Sequence, residues 1–113
     1  MSDHNGLSPE VLKGHLDLLL LSAVDEGPAH GYAIAETLRV RSRKAFDLPE
    51  GTLYPALHRL ERSGFLSSRW SDESGRRRRV YQLTAKGRRA LGQRRREWRD
   101  FARAVQLVAG GRA

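Results

Sequence analysis

Between Glu50 and Leu83 the chain changes its period, and that change limits what it can fold into. From Gly51 to Ser63 apolar residues recur at helical spacing, with Leu53, Ala56, Leu57 and Leu60 on one side. Gly64 follows, a residue suited to the left-handed backbone that ends a helix. Two strand-like runs come next, Phe65-Leu66 and Val80 to Leu83, around the turn Asp72-Glu73-Ser74-Gly75. Tyr81 and Leu83 share a face by the two-residue period of a strand, and we assign that face to the core. Four arginines, Arg76 to Arg79, stand at the opening of the second strand.

A helix feeding a hairpin with a cationic tip is the sequence form of a winged helix. The expected fold is mainly α with a small β-hairpin: a winged helix-turn-helix domain over residues 8–83, then a C-terminal dimerisation helix over 84–109. Residues 1–7 and 110–113 are expected to be flexible termini. Such a unit suits the DNA duplex: its helix fits the major groove, and the hairpin's cations reach the backbone or the minor groove.

Charge supports a polyanionic partner. The formal net charge is +8. It is unevenly placed: residues 1–57 carry a net −3 and residues 58–113 a net +11. Lys13, Lys44 and Lys86 are the only lysines, so a general bias explains the choice of arginine but not the asymmetry. At 113 residues the chain fits one domain with a small core, which oligomerisation would help to stabilise. No run of about 18 apolar residues is present, so no membrane span is expected. Leu16 to Val24 is too short and lacks a basic flank, so no cleaved signal peptide is expected. There is no cysteine for disulfides or thiolate metal sites, and a cytoplasmic location follows by default.

Three further helices complete the reading. Ser8-Pro9-Glu10 starts the first, which runs to about Asp25. Leu12, Leu16, Leu19 and Leu20 form a stripe on it, while Leu18 and Leu21 lie off that stripe. A helix this apolar packs on more than one neighbour, one of which can be a second subunit. Glu26-Gly27-Pro28 breaks the chain, and a second helix covers His30 to Arg43 with Ile34 and Leu38 inward. Asp47-Leu48-Pro49 is a second break, and Pro55 is expected to be tolerated as close to a helix start. Thr84 caps a final helix running to Val108, about 35 Å long, ended by Gly110-Gly111. Leu91, Trp98 and Val105 recur by sevens along it, with Phe101 and Val108 interleaved and Arg94 interrupting. Leu12, Leu16, Leu19, Leu91, Trp98, Phe101 and Val105 are therefore the expected homodimer interface; packing of the last helix on the first within one chain is the competing arrangement.

These residues carry a resemblance. His30-Gly31-Tyr32, the run Gly51-Thr52-Leu53-Tyr54-Pro55-Ala56-Leu57 with Leu60-Glu61, Gly64-Phe65-Leu66, Trp70, Gly75 with its arginines, and Tyr81-Gln82-Leu83-Thr84 with Gly87 resemble the PadR family of bacterial transcriptional regulators. The likeness is to its short members with one C-terminal helix, and covers roughly residues 9–108. It implies a dimeric winged-helix repressor of a pseudo-palindromic operator. It also implies that the third helix reads DNA and that the first and last form the dimer. Relatives repress stress, efflux and catabolic genes, and some respond to ligands.

On the third helix, Thr52, Pro55, Arg59 and Arg62 form the face opposite the core, with Tyr54 and His58 flanking it. Thr52, Arg59 and Arg62 can meet bases or phosphates, and Pro55 a thymine methyl. The resemblance places Tyr54 and Tyr32 at phosphates; Tyr54 packing on the second helix is the alternative. His30 either serves the phosphate seat at that helix start or caps the helix. Alternation sends Arg77 and Arg79 to one face and Arg76 and Arg78 to the other, and Arg76 and Arg77 are nearest the tip. Their alternative is pairing with Asp72 and Glu73. Trp98 and Phe101 either fill the dimer core or, as in some relatives, line a pocket for a small aromatic or hydrophobic effector. Trp70 is expected to pack on the hairpin. His4, His15, His30 and His58 are scattered, so no metal site is expected. No phosphate loop or nucleophile elbow is present, so neither a cofactor nor an enzyme activity is expected.

Overall fold

The computed structural model describes residues 9–111. Helix α1 (Pro9–Val24) leads to a two-residue strand β1 (Ala29–His30) and helix α2 (Gly31–Arg41). Helix α3 (Glu50–Arg62), strand β2 (Leu66–Ser71), a 3-10 turn (Glu73–Gly75), strand β3 (Arg78–Leu83) and helix α4 (Ala85–Ala109) follow. The Ser8 cap lies outside the described residues.

The fold is the expected winged helix, with a longer hairpin and one more strand. β2 and β3 pair antiparallel from Leu66↔Leu83 to Ser71↔Arg78, so Arg78 and Arg79 open the second strand while Arg76 and Arg77 precede it. β1 joins the other edge of β3 through Ala29↔Tyr81 and His30↔Val80. Helix α2 consequently begins at Gly31, one residue later than expected.

One core serves every element. Leu20, Leu21, Ile34, Leu57, Leu60, Leu66 and Tyr81 are its most enclosed large side chains. α1 packs on α2, α3, β3 and α4, which explains leucines on several of its sides. Leu16 and Leu91, expected between subunits, belong to this core at 7% and 2% exposure and have little surface left for a partner. Farther along α4 the seam emerges: Trp98, Phe101, Val105, Leu107 and Val108 are exposed. The last helix therefore packs on the first within the chain near Leu91 and leaves an exposed apolar end beyond it.

The junction of α3 with α4 is built from backbone. Gly64 takes φ +82°, and Phe65 N–H donates to Leu60 O (3.0 Å) while Gly64 N–H donates to Glu61 O (2.9 Å). This is the Schellman arrangement that closes a helix. Thr84 Oγ1 donates to Gly64 O (2.6 Å) and accepts from Gly87 N–H (2.9 Å), capping α4. Lys86 Nζ donates to Ser63 O (2.9 Å). A β-carbon at Gly87 would overlap the Phe65 carbonyl.

Pro55 departs from expectation. α3 starts at Glu50, so Pro55 is its sixth residue and has no N–H for the carbonyl of Gly51. Gly51 and Pro55 both lie on the exposed side, where solvent can serve that carbonyl.

Candidate nucleic-acid interface

The outer face of α3 is narrower than the sequence suggested. Pro55, His58, Arg59 and Arg62 are exposed, with His58 at the flank of this face. Thr52 is half-buried and turns toward a cleft of about 930 Å³ between α1, α3 and α4. Arg59 lies along the same cleft, where Nη2 meets Asp17 Oδ1 at 3.3 Å. Arg94 of α4 reaches the other oxygen of Asp17 at 3.5 Å. One carboxylate thus joins the outer face of α3 to α4. Trp98 and Phe101 also line this cleft, their ring centroids 6.2 Å apart, and His15 meets Trp98 edge-on at 5.2 Å.

Tyr54 points the other way. Its ring packs on the start of α2, where a β-carbon at Gly31 would come within 2.5 Å of it. Tyr54 thus packs on α2 and is half-buried there, while its ring also lines a groove beside the wing.

His30 caps α2: its Nδ1 accepts from Ala33 N–H at 3.2 Å. Its Nε2 lies 2.6 Å from Arg78 Nη1. The two contacts compete for the ring's single proton, because an accepting Nδ1 leaves Nε2 protonated while a bond from Arg78 needs Nε2 bare. The imidazolium would lose the cap and face a guanidinium. Burial first, and the Arg78 charge second, hold His30 below its ordinary value of 6.5. Tyr32 stacks beside His30 with centroids 6.4 Å apart and remains 71% exposed.

The wing arginines divide as alternation requires. Arg78 turns to His30, while Arg77 and Arg79 turn to Trp70. Arg76 and Arg77 are exposed at the tip. Arg79 is held at the base: Nε donates to Ser68 Oγ (2.8 Å) and Nη2 lies 3.7 Å from Glu61 Oε2. Ser68 Oγ donates to the same Glu61 oxygen (2.6 Å), so α3 and the wing share one polar link. No Asp72 pair with a wing arginine stands among the ion pairs of the described residues.

Between the wing tip and the starts of α2 and α3 lies a groove of about 960 Å³. Arg39 and the four wing arginines line it, opposed by Glu36, Asp47 and Glu50. Arg39 is already bound to Glu36 through Nε (3.3 Å) and Nη2 (2.8 Å), which raises its pKa. Sequence reasoning missed Asp17, Glu61 and the exposed ring of Trp70. Only the last had a readable signal, since the hairpin register sets Trp70 opposite Arg79. Among the described residues no group of three His, Asp or Glu could hold a metal ion, and no helix is long and apolar enough to cross a membrane.

A basic wing beside an exposed helix, on a three-stranded sheet with a long C-terminal helix, defines a winged-helix transcription regulator. The profile of the transcriptional regulator PadR-like family matches residues 20–93, and the chain belongs to that family. A transcriptional regulator of Mycobacterium tuberculosis is 38% identical over 96 residues, covering 85% of this chain and 87% of that one. The structure of a transcriptional regulator from Clostridium thermocellum superposes with a TM-score of 0.83 at 30% identity, covering 91% and 98%. That of a PadR family regulator from Clostridium difficile gives 0.73 at 35% identity, covering 83% and 97%. The protein is thus a DNA-binding regulator of transcription.

Proposed function

We propose that the protein is a dimeric repressor of a pseudo-palindromic operator. The observation that supports this reading is the presence of three exposed cationic or donor-bearing features on one winged-helix fold. They are the outer face of α3, the start of α2, and the wing tip. Pro55, His58 and Arg62 are the base-facing group, with Arg59 available once it leaves Asp17. Arg76, Arg77 and Tyr32 hold flanking phosphates. Tyr54 and His30 act mainly by shaping the surface that carries them, and Thr52 lies at its edge.

The dimer brings two such surfaces together, as a palindrome requires. The exposed Trp98, Phe101 and Val105, with Leu12 and Leu19 of α1, supply its interface. The cleft beside Trp98 and Phe101 is the seat we assign to a small aromatic or hydrophobic effector. No catalytic role is assigned to any residue. Mobility-shift titration of the gene's own upstream region against scrambled duplex, at about physiological salt, tests this reading. A repressor prefers its operator by at least about a thousandfold. Equal affinity would favour the alternative, a basic protein that binds nucleic acid without sequence preference.

A further inference from the structure

Trp70 has an environment that the hairpin alone does not require. It stands on β2 directly opposite Arg79, and Arg77 lies two residues before Arg79 on the same side of the sheet. The Arg77 guanidinium carbon is 4.7 Å from the ring centroid and that of Arg79 is 5.1 Å away. The ring nevertheless remains 53% exposed, so it is not a core residue. Leu66 and Ser68 share its side of β2; Leu66 enters the core and Ser68 bonds Glu61 of α3. The ring therefore stands on the side of the wing that the recognition helix occupies.

The two arginines differ in what they have left to give. Arg79 spends its donors on Ser68 and its charge on Glu61. Arg77 lies at the exposed tip with its guanidinium on the ring. Stacking uses the face of a guanidinium and leaves its in-plane N–H donors pointing outward. A carboxylate partner would instead consume those donors and cancel the charge. An arginine free in solvent would lose side-chain entropy on meeting a phosphate. A stacked one has lost part of it already, and its planar fork matches a phosphate bidentately.

We propose that Trp70 is a positioning residue that holds Arg77 ready for a DNA backbone phosphate beside the bases read by α3. The proposal rests on the DNA-binding reading above. Arg79, braced by Glu61, keeps the ring upright as the second guanidinium against it. Trp70 thereby sets how tightly the wing grips without reading any base itself.

The test is a double-mutant cycle in duplex-binding titrations of the full chain, across a salt series. Trp70→Leu weakens binding roughly tenfold on operator and on random duplex alike, and leaves the salt slope unchanged because both arginines remain. Arg77→Ala weakens binding and lowers the slope by about one. In the Arg77→Ala background Trp70→Leu costs little more, and Trp70→Phe in the wild-type background restores most of the affinity. Circular dichroism checks that each variant is folded. A second measurement needs no DNA: relaxation of the Arg77 Nε–H in the free protein shows greater order in wild type than in Trp70→Leu. A wild-type protein that binds no duplex would overturn the DNA-binding reading. Wild-type binding with an unaffected Trp70→Leu, a full Trp70→Leu loss in the Arg77→Ala background, or equal Arg77 order in both proteins would overturn the role of Trp70.

Discussion

Arg59 on the outer face of α3 is held at 3.3 Å by Asp17 of α1, although the two are separated by 42 residues of sequence. In the DNA-bound state we propose, DNA and Asp17 compete for the same guanidinium. Replacing Asp17 by Asn releases Arg59 and Arg94 and removes one negative charge near the DNA-facing surface. Affinity for random duplex is expected to rise roughly threefold, with a stability loss under about 1 kcal/mol because these pairs are exposed. Fluorescence anisotropy at two salt concentrations checks the first expectation and urea titration the second. A fall in affinity would mean that Asp17 holds Arg59 in its productive pose.

His58 and Arg62 are expected to act on specificity. Each alanine variant should cost about 1–3 kcal/mol on the operator and much less on random duplex. Competition binding measures both in one experiment. Equal losses on both duplexes would move these residues from the bases to the backbone.

The dimer is best tested by cutting α4 where it leaves the protomer's own core. A chain ending at Glu97 keeps Leu91 and loses Trp98, Phe101 and Val105. Sedimentation is expected to show a folded monomer. Truncation after Leu83 would instead remove Leu91 from the core and unfold the chain, which makes it uninformative about association.

Gly87→Ala is expected to destabilise the fold by about 1–3 kcal/mol, since the new methyl meets the Phe65 carbonyl and the backbone must shift. A lowered thermal midpoint would register this. An unchanged midpoint would show that the junction yields more easily than its hydrogen bonds suggest.

His30 gives stability a dependence on pH. Its folded pKa lies below 6.5, so the unfolded chain takes up the proton first as pH falls. Its contribution is full above 6.5 and declines as pH drops from there toward the folded value. His30→Asn keeps a capping oxygen and should flatten this part of the profile. Denaturant midpoints between about pH 5 and pH 8 compare the two proteins.

Local signals were legible in the sequence, and distant pairings were not. Gly64 and Thr84 mark their caps because each acts within a few residues. The two residues of β1 carry no period, and they become a strand only because Tyr81 and Val80 lie alongside. Leu91 and Trp98 occupy equivalent heptad positions, yet one is core and the other 43% exposed, a difference that the seven-residue spacing does not show. On α3, spacing grouped Thr52 with Pro55 and Arg59, but the nearness of α1 decides which of them open outward. Trp70 reads as a packing residue because the sequence alone does not extend the first strand to it, and its register opposite Arg79 depends on that extension.

The backbone junction at Gly64, Thr84 and Gly87 has a mechanical consequence. Hydrogen bonds from Thr84 and Lys86 to Gly64 O, Phe65 O and Ser63 O tie the end of α3 to the start of α4 across the base of the wing. The last turn of α3 and the first turn of α4 are thus neighbours in space, although the whole wing lies between them in sequence. In the dimeric, effector-bound states we propose, a displacement of α4 would reach the end of α3 through these bonds.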